Sequence, residues 1–413
     1  MLLYENKKGK LLTFLKIGLN PFKKFVATGE IKENIDLAES RFDLIESIKK
    51  IIEKEKNIIL PVIGGVGTGK THLFWTLKNK LHYHNTVYIS LENVYRKFYY
   101  NIYSEYIEEM GPEILRYITS ELCNKWGAFE RKFGFFHDPA DIDKVNKIAF
   151  ERLSSPNFED KNALSDVINA ITTHQLDPWK KVEAERWLLG ELMDSRELSN
   201  INLQYDLRKS SYAYTILKII IENSKLKSVL FIDDFEKIIS LMKPDKESEE
   251  IFEPNWLYGD GTSSPEKLAA EKTLDKILNL HTIEGLNIII TLKSVGALEE
   301  IKSLVKERDI TLLSTFKEPI FLRNFEENDI YDFYKKNLEE FLININYLDF
   351  LKEDPNIYFP LNEKILKNIY HKTNGNPREI IKYLIKIFND IIYSDENLED
   401  IISRYENLAI FQQ

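Results

Sequence analysis

Five short runs of β-branched, aromatic and other apolar residues stand out, at 57–63, 86–90, 228–232, 286–292 and 319–322. They are near-continuous rather than alternating, as expected of strands buried on both faces. Between them, apolar positions recur at helical spacing. Strands alternating with helices predict an α/β fold, with a parallel sheet sandwiched by helices. Pro61 interrupts the first run and cannot donate to a ladder. That strand is therefore expected to be short, or to place Pro61 where no donor is needed.

The spacing is uneven. Residues 91–227 carry no strong strand signal, and segments such as "LENVYRKFYYNIYSEYIEEM" and "AERWLLGELMDSREL" have helical, aromatic patterns. The stretch is too long for a loop and predicts a large helical insertion. Its Tyr and Phe residues read as core rather than as a base-stacking surface. Residues 242–267 are rich in Pro, Gly, Ser and acids and predict a mobile loop, with Trp256 and Tyr258 docking back on the protein or on a partner. After Phe325 strand signals stop, and the rest predicts an all-α domain. The expected division is 1–56 as a basic segment and linker, 57–325 as the core including 91–227, and 326–413 as a C-terminal helical domain.

The bulk composition narrows the class. Of 413 residues, 43% are hydrophobic and 30% charged, as in ordinary globular proteins. No run approaches 18 apolar residues, so no membrane contact is expected. The first residues lack the apolar core and cleavage site of a signal peptide. The single cysteine, Cys123, leaves no internal disulfide and fits a reducing compartment, so a cytoplasmic location is expected. A formal net charge of −10 argues against a general basic coat for nucleic acid. Residues 1–24 are a local exception, with Lys7, Lys8, Lys10, Lys16, Lys23 and Lys24 against Glu5, a net of +5 (six minus one). This reads as a solvated amphipathic start, or as an arm touching nucleic acid or an acidic partner.

The candidate chemistry begins at "GGVGTGKT", 64–71, which follows the first strand and opens a helix. It matches G-x-x-x-x-G-K-[ST]. Glycines let successive N–H groups converge on phosphate oxygens, and the helix start adds positive potential. Gly64, Gly65, Val66, Gly67, Thr68, Gly69, Lys70 and Thr71 are the expected nucleotide-binding residues. His72 closes that set, although its plain reading is a first-turn packing or surface residue. Lys70 would reach the β- and γ-phosphates and Thr71 would bind Mg²⁺. In "SVLFIDDFEKII" an apolar strand ends in Asp233 and Asp234. Adjacent acids suit a strand end facing a cation, where α/β sheets bind ligands. Asp233 is the expected Mg²⁺ residue, through water. The next strand closes on Thr291, with Ser294 three residues on. A polar group there would face the γ-phosphate and orient water. In "TNGNPREIIKYL" Asn376 caps a helix, Pro377 takes its first position and Glu379 its third. Arg378 opposes the helix dipole, and a local misfit of that kind hints at function.

This order of features resembles the AAA+ P-loop ATPases, above all the branch holding the origin-recognition and Cdc6-type initiators and the STAND-like signalling ATPases. "NPF" at 20–22 and "ESRFDLIESIKKII" resemble that branch's N-terminal linker, which lies near the adenine. The resemblance implies that Thr291 or Ser294 is sensor 1, that Arg378 is sensor 2 on a helical lid, and that the 326–413 domain is that lid. It implies a catalytic set of Lys70, Asp234, Glu236, Thr291, Arg378 and Arg308. Asp234 stands where a water-activating Glu is usual, with Glu236 two residues on. Arg308, then Arg323, are the arginine-finger candidates, acting in trans. After the Arg378 helix about 20 residues remain, too few for a winged helix. The expected function is an oligomerising Mg-ATPase switch acting on DNA or on a protein partner. The alternative is a scaffold that holds ATP or ADP with little turnover.

Overall fold

The computed structural model describes residues 2–17, 19–23, 38–91, 97–128, 141–154, 158–242, 265–346 and 356–407. Trp256, Tyr258 and Lys24 lie outside these. Five strands form one parallel sheet in the order β2-β3-β4-β1-β5. They are β1 Ile59–Ile63, β2 His84–Ser90, β3 Lys227–Asp233, β4 Leu286–Leu292 and β5 Ile320–Phe321. All five lie at the runs read from the sequence. β2 begins earlier than its apolar run, because His84 and Asn85 pair with Lys227 and Ser228 of β3. β1 is interior and only five residues long, the short form expected of a strand holding Pro61. β1, β3 and β4 are buried almost throughout, which explains their continuous apolar character.

The chain divides into two compact units, and it passes from one to the other within β1. The first comprises residues 1–53, 62–80 and 320–413. Its core is built by the helices Glu327–Asn344, Glu363–Thr373, Pro377–Tyr393 and Leu398–Glu406, with a contribution from the start of the chain. The helix Leu2–Lys16 buries Leu11 and Leu15 in that core. Phe22 follows, stacked on Tyr334 at 5.8 Å and edge-on to Phe388 at 5.0 Å. Asn20 is buried and donates to Ile385 O and to Asn389 Oδ1. The "NPF" tripeptide thus packs among the C-terminal helices.

The second unit comprises residues 54–61 and 81–319. Between β2 and β3 it holds the helices Phe98–Met110, Pro112–Lys125, Ile142–Leu153, Lys161–Leu176, Lys181–Leu188, Ser195–Asn200 and Ser210–Asn223. Local chemistry starts several of them. Asp160 accepts from two N–H groups of the first turn, and Asp194 and Glu197 form a capping box. Much of the aromatic content is core, with Tyr103, Tyr106, Trp187 and Tyr212 fully buried, whereas Tyr117, Trp179 and Tyr205 are exposed. Tyr106 also fastens this helical layer to the sheet. Its hydroxyl accepts from Asn85 Nδ2 at 3.0 Å and lies 2.9 Å from Ser228 Oγ.

Candidate functional site

The glycine loop leaves the buried end of β1 and runs into the helix Lys70–Lys80. Gly67 and Gly69 have φ of +80° and +97°, backbone that disfavours any side chain. The loop's carbonyls can be followed one by one. Lys70 Nζ donates to Gly64 O at 2.8 Å and to Gly65 O at 3.1 Å. The Thr68 hydroxyl also donates to Gly65 O, at 2.9 Å. Asn376 Nδ2 donates to Val66 O at 2.8 Å. The Arg378 N–H donates to Gly67 O at 3.2 Å. Arg41 donates through Nη2 to Thr68 O at 3.3 Å. Five consecutive carbonyls, 64 to 68, therefore have donors. Thr71 is exposed and His72 is half-buried.

The C-terminal donors are shaped by the turn "TNGNPR". The preceding helix ends at Asn374 and Gly375, both left-handed. A Cβ on Gly375 would stand 2.2 Å from Phe325 O, so only glycine fits. Asn376 caps the next helix through Oδ1, which accepts from Glu379 N at 3.3 Å, and Pro377 takes the first position as expected. One amide group therefore serves both ends, its oxygen on its own helix and its nitrogen on the loop. The approach is close, and a Cβ on Gly67 would lie 2.6 Å from Asn376 Oδ1 and 2.8 Å from Arg378 Cβ.

Arg41 was not singled out in the sequence. It ends a short turn, Glu39–Arg41, that follows Ala38. Ser40 anchors that turn through its hydroxyl, 2.6 Å from the buried Asp329 carboxylate, and through its N–H at 3.2 Å. The Arg41 guanidinium lies over the Phe325 ring and also donates to Arg323 O. Burial pulls its pKa below the ordinary range, and the Asp329 charge pulls it back up. It stays cationic at neutral pH.

The acidic residues lie in the other unit, at the end of β3. Asp233 is buried, and its carboxylate accepts from the Thr291 hydroxyl, from Asp234 N at 3.1 Å and from Tyr88 OH at 3.0 Å. Thr291 is fully buried, at the end of β4, and its hydroxyl oxygen accepts from Asp234 N at 3.2 Å. Asp234 has φ of +55°, and its Oδ2 accepts from Ser90 Oγ at 3.3 Å. Glu236 opens the helix Glu236–Met242, with Oε1 3.2 Å from Lys293 Nζ. Both its oxygens are buried without a well-aligned hydrogen-bond donor among the described residues. Ser294 caps the helix Val295–Arg308 through Ala297 N. Arg308 ends that helix, paired with Asp275 at 2.5 Å and donating to Leu304 O at 3.2 Å. Arg323 is exposed. Tyr88 and Ser90, like Arg41, escaped the sequence reading. A polar residue closing an apolar strand is the signal that picked out Thr291 and would have found Ser90.

No protein-family profile matches the chain, and no curated protein matches it. Among solved structures it is similar to the Walker-type ATPase PABY2304 of Pyrococcus abyssi, with 12% identity and a TM-score of 0.38. The likeness covers 88% of this chain and 70% of that one. The parallel sheet, with "GGVGTGKT" carrying its interior strand β1 into a helix, gives the chain a P-loop nucleoside-triphosphatase fold.

Proposed function

We propose that the chain is an Mg-ATP-binding and ATP-hydrolysing switch of the AAA+ type. The observation that carries this reading is the phosphate loop. It combines the full Gly64–Thr71 pattern with left-handed glycines and the Lys70 ammonium folded over its mouth at Gly64 O and Gly65 O. On nucleotide binding Lys70 exchanges those carbonyls for phosphate oxygens. Thr71 and Asp233 would hold the Mg²⁺. Their chemistry fits, because a buried carboxylate oriented by hydroxyls and an amide suits a hard cation that keeps much of its water. When bound, the ion would neutralise charge on the β- and γ-phosphates. Thr291 orients Asp233, and Asp234 or Glu236 activates water. Arg378 senses the γ-phosphate. Arg323, exposed in this chain, joins Arg308 as a candidate arginine finger, since Arg308 is already engaged by Asp275.

Oligomerisation, and action on DNA or on a protein partner, follow from the AAA+ resemblance and complete the proposal. ATP turnover tests it. Wild type should hydrolyse Mg-ATP and Lys70→Ala should not, and equal turnover in the two sinks the assignment.

A second reading has an observation of its own. Asp234 occupies the place of the usual Glu, is a methylene shorter, and is engaged by Ser90. That favours a scaffold which holds nucleotide and rarely hydrolyses it. Negligible turnover in both wild type and Asp234→Asn, with nucleotide retained, would select this reading.

A further inference from the structure

We propose that Arg41 and Asn376 are positioning residues that shape the phosphate loop from behind. The proposal rests on the nucleotide-binding reading of that loop and adds to it. The geometry points to a carbonyl clamp. Three successive peptide groups, 66–67, 67–68 and 68–69, have their oxygens held by Asn376 Nδ2, Arg378 N–H and the Arg41 guanidinium. In a trans peptide the N–H points opposite to the C=O. Fixing these three oxygens therefore sets the directions of the Gly67, Thr68 and Gly69 N–H groups; that of Thr68 turns back onto Gly65 O at 3.4 Å, and those of Gly67 and Gly69 are the donors offered to a phosphate.

The three holders differ in kind. Arg41 is a cation, so its bond to Thr68 O is charge-assisted, and it polarises the peptide whose N–H belongs to Gly69. Arg378 acts here through its backbone, at the positive end of the 17-residue helix Pro377–Tyr393. Asn376 joins that helix start to the loop with one amide. Arg41 is itself placed by Ser40 on Asp329 and by the face of Phe325. The loop is thereby tied to two segments far away in sequence, one before it and one after.

The clamp makes a prediction that a γ-phosphate contact does not. It acts on donors for all the phosphates, so losing it weakens ADP and ATP by the same factor. Arg41→Met and Arg41→Lys remove the fork geometry, and the lysine keeps the charge. Asn376→Asp keeps the helix cap but replaces the donor with a carboxylate against the loop, and Asn376→Ser caps without reaching Val66. The experiment titrates full-length protein with ATP and ADP, by calorimetry, alongside urea unfolding of the ligand-free chain. Arg41→Met and Asn376→Ser should each weaken both nucleotides by about tenfold or more, the worth of one strong hydrogen bond. Arg41→Lys should recover part of the loss, and Asn376→Asp should bind worst. Unchanged affinity in Arg41→Met or Asn376→Ser overturns the clamp, as does a loss confined to ATP. A fall in unfolding midpoint without a change in affinity also overturns it, because that is a structural role alone. Lys70→Ala serves as the reference. If it leaves affinity unchanged, the nucleotide reading fails; if it abolishes binding while the clamp variants bind normally, the clamp alone fails.

Discussion

At Gly67 a single methyl group would collide with the cap of a helix that begins some 310 residues later. The left-handed φ adds backbone strain to that collision. Gly67→Ala is therefore expected to cost about 1–3 kcal/mol in urea unfolding and to weaken nucleotide binding. A variant matching wild type in both measurements would refute the close approach. A second single-residue effect concerns His174, which is buried in the helical insertion. Gln175 Nε2 donates to its Nδ1 at 3.0 Å, which assigns the proton to Nε2, an atom with no hydrogen-bond partner among the described residues. Burial lowers its pKa; Lys181 and Arg116 push the same way against Glu185. A histidine with a lowered native pKa binds fewer protons folded than unfolded, so its contribution is present above the unfolded value and lost as pH falls. Stability should drop below about pH 6.5, by at most about 1.4 kcal/mol per unit from this group. His174→Gln should flatten that slope, and an unaltered slope would assign it elsewhere. Some residue-scale features were legible in the sequence because they are local. The cap at Asn376, the proline at 377 and the glutamate at 379 follow from a few neighbouring positions. The second bond of Asn376 was not legible, since nothing near it specifies Val66.

Elements were more legible than contacts. Buried parallel strands are continuous apolar runs, so β4 could be placed to the residue and β3 to within one at each end. β5 was the least defined, because only Ile320 and Phe321 pair, with Val62 and Ile63. Its neighbour Leu322 donates to Ile63 O at 2.7 Å without extending the strand. The first helix illustrates what periodicity leaves out. Its lysines suggested a solvated amphipathic start or a binding arm, and neither reading named what its apolar side meets: Leu11 and Leu15 are fully buried among the C-terminal helices. Leu15→Ala should therefore destabilise this unit by about 2–5 kcal/mol, read from its urea midpoint. A cost under about 0.5 kcal/mol, as for a surface site, would contradict the packing.

At the scale of the whole molecule, the first unit is assembled from three stretches, 1–53, 62–80 and 320–413. The sequence suggested a compact all-α domain from 326 onward, and local periodicity cannot show that its core also takes residues from the start of the chain. Residues 320–413 produced alone would lack Leu11, Leu15 and Phe22. They are expected to bind ANS and to unfold without cooperativity, and co-expression with residues 1–53 should restore a sharp transition. Cooperative unfolding of the isolated fragment would show that its core closes unaided.

The clamp on the phosphate loop also has a consequence in time. During synthesis the loop emerges first, and Asn376 and Arg378 follow some 310 residues later. At about 5–20 residues per second, that is a delay of roughly 15–60 seconds. Through that interval the nascent chain carries a complete phosphate-loop sequence whose backbone donors are not yet aimed. A chain that stalls before residue 376 keeps the sequence and the Arg41 contact but lacks the holders of Val66 O and Gly67 O. Nucleotide capture would thus report that the Asn376–Arg378 turn has been made and has folded onto the loop.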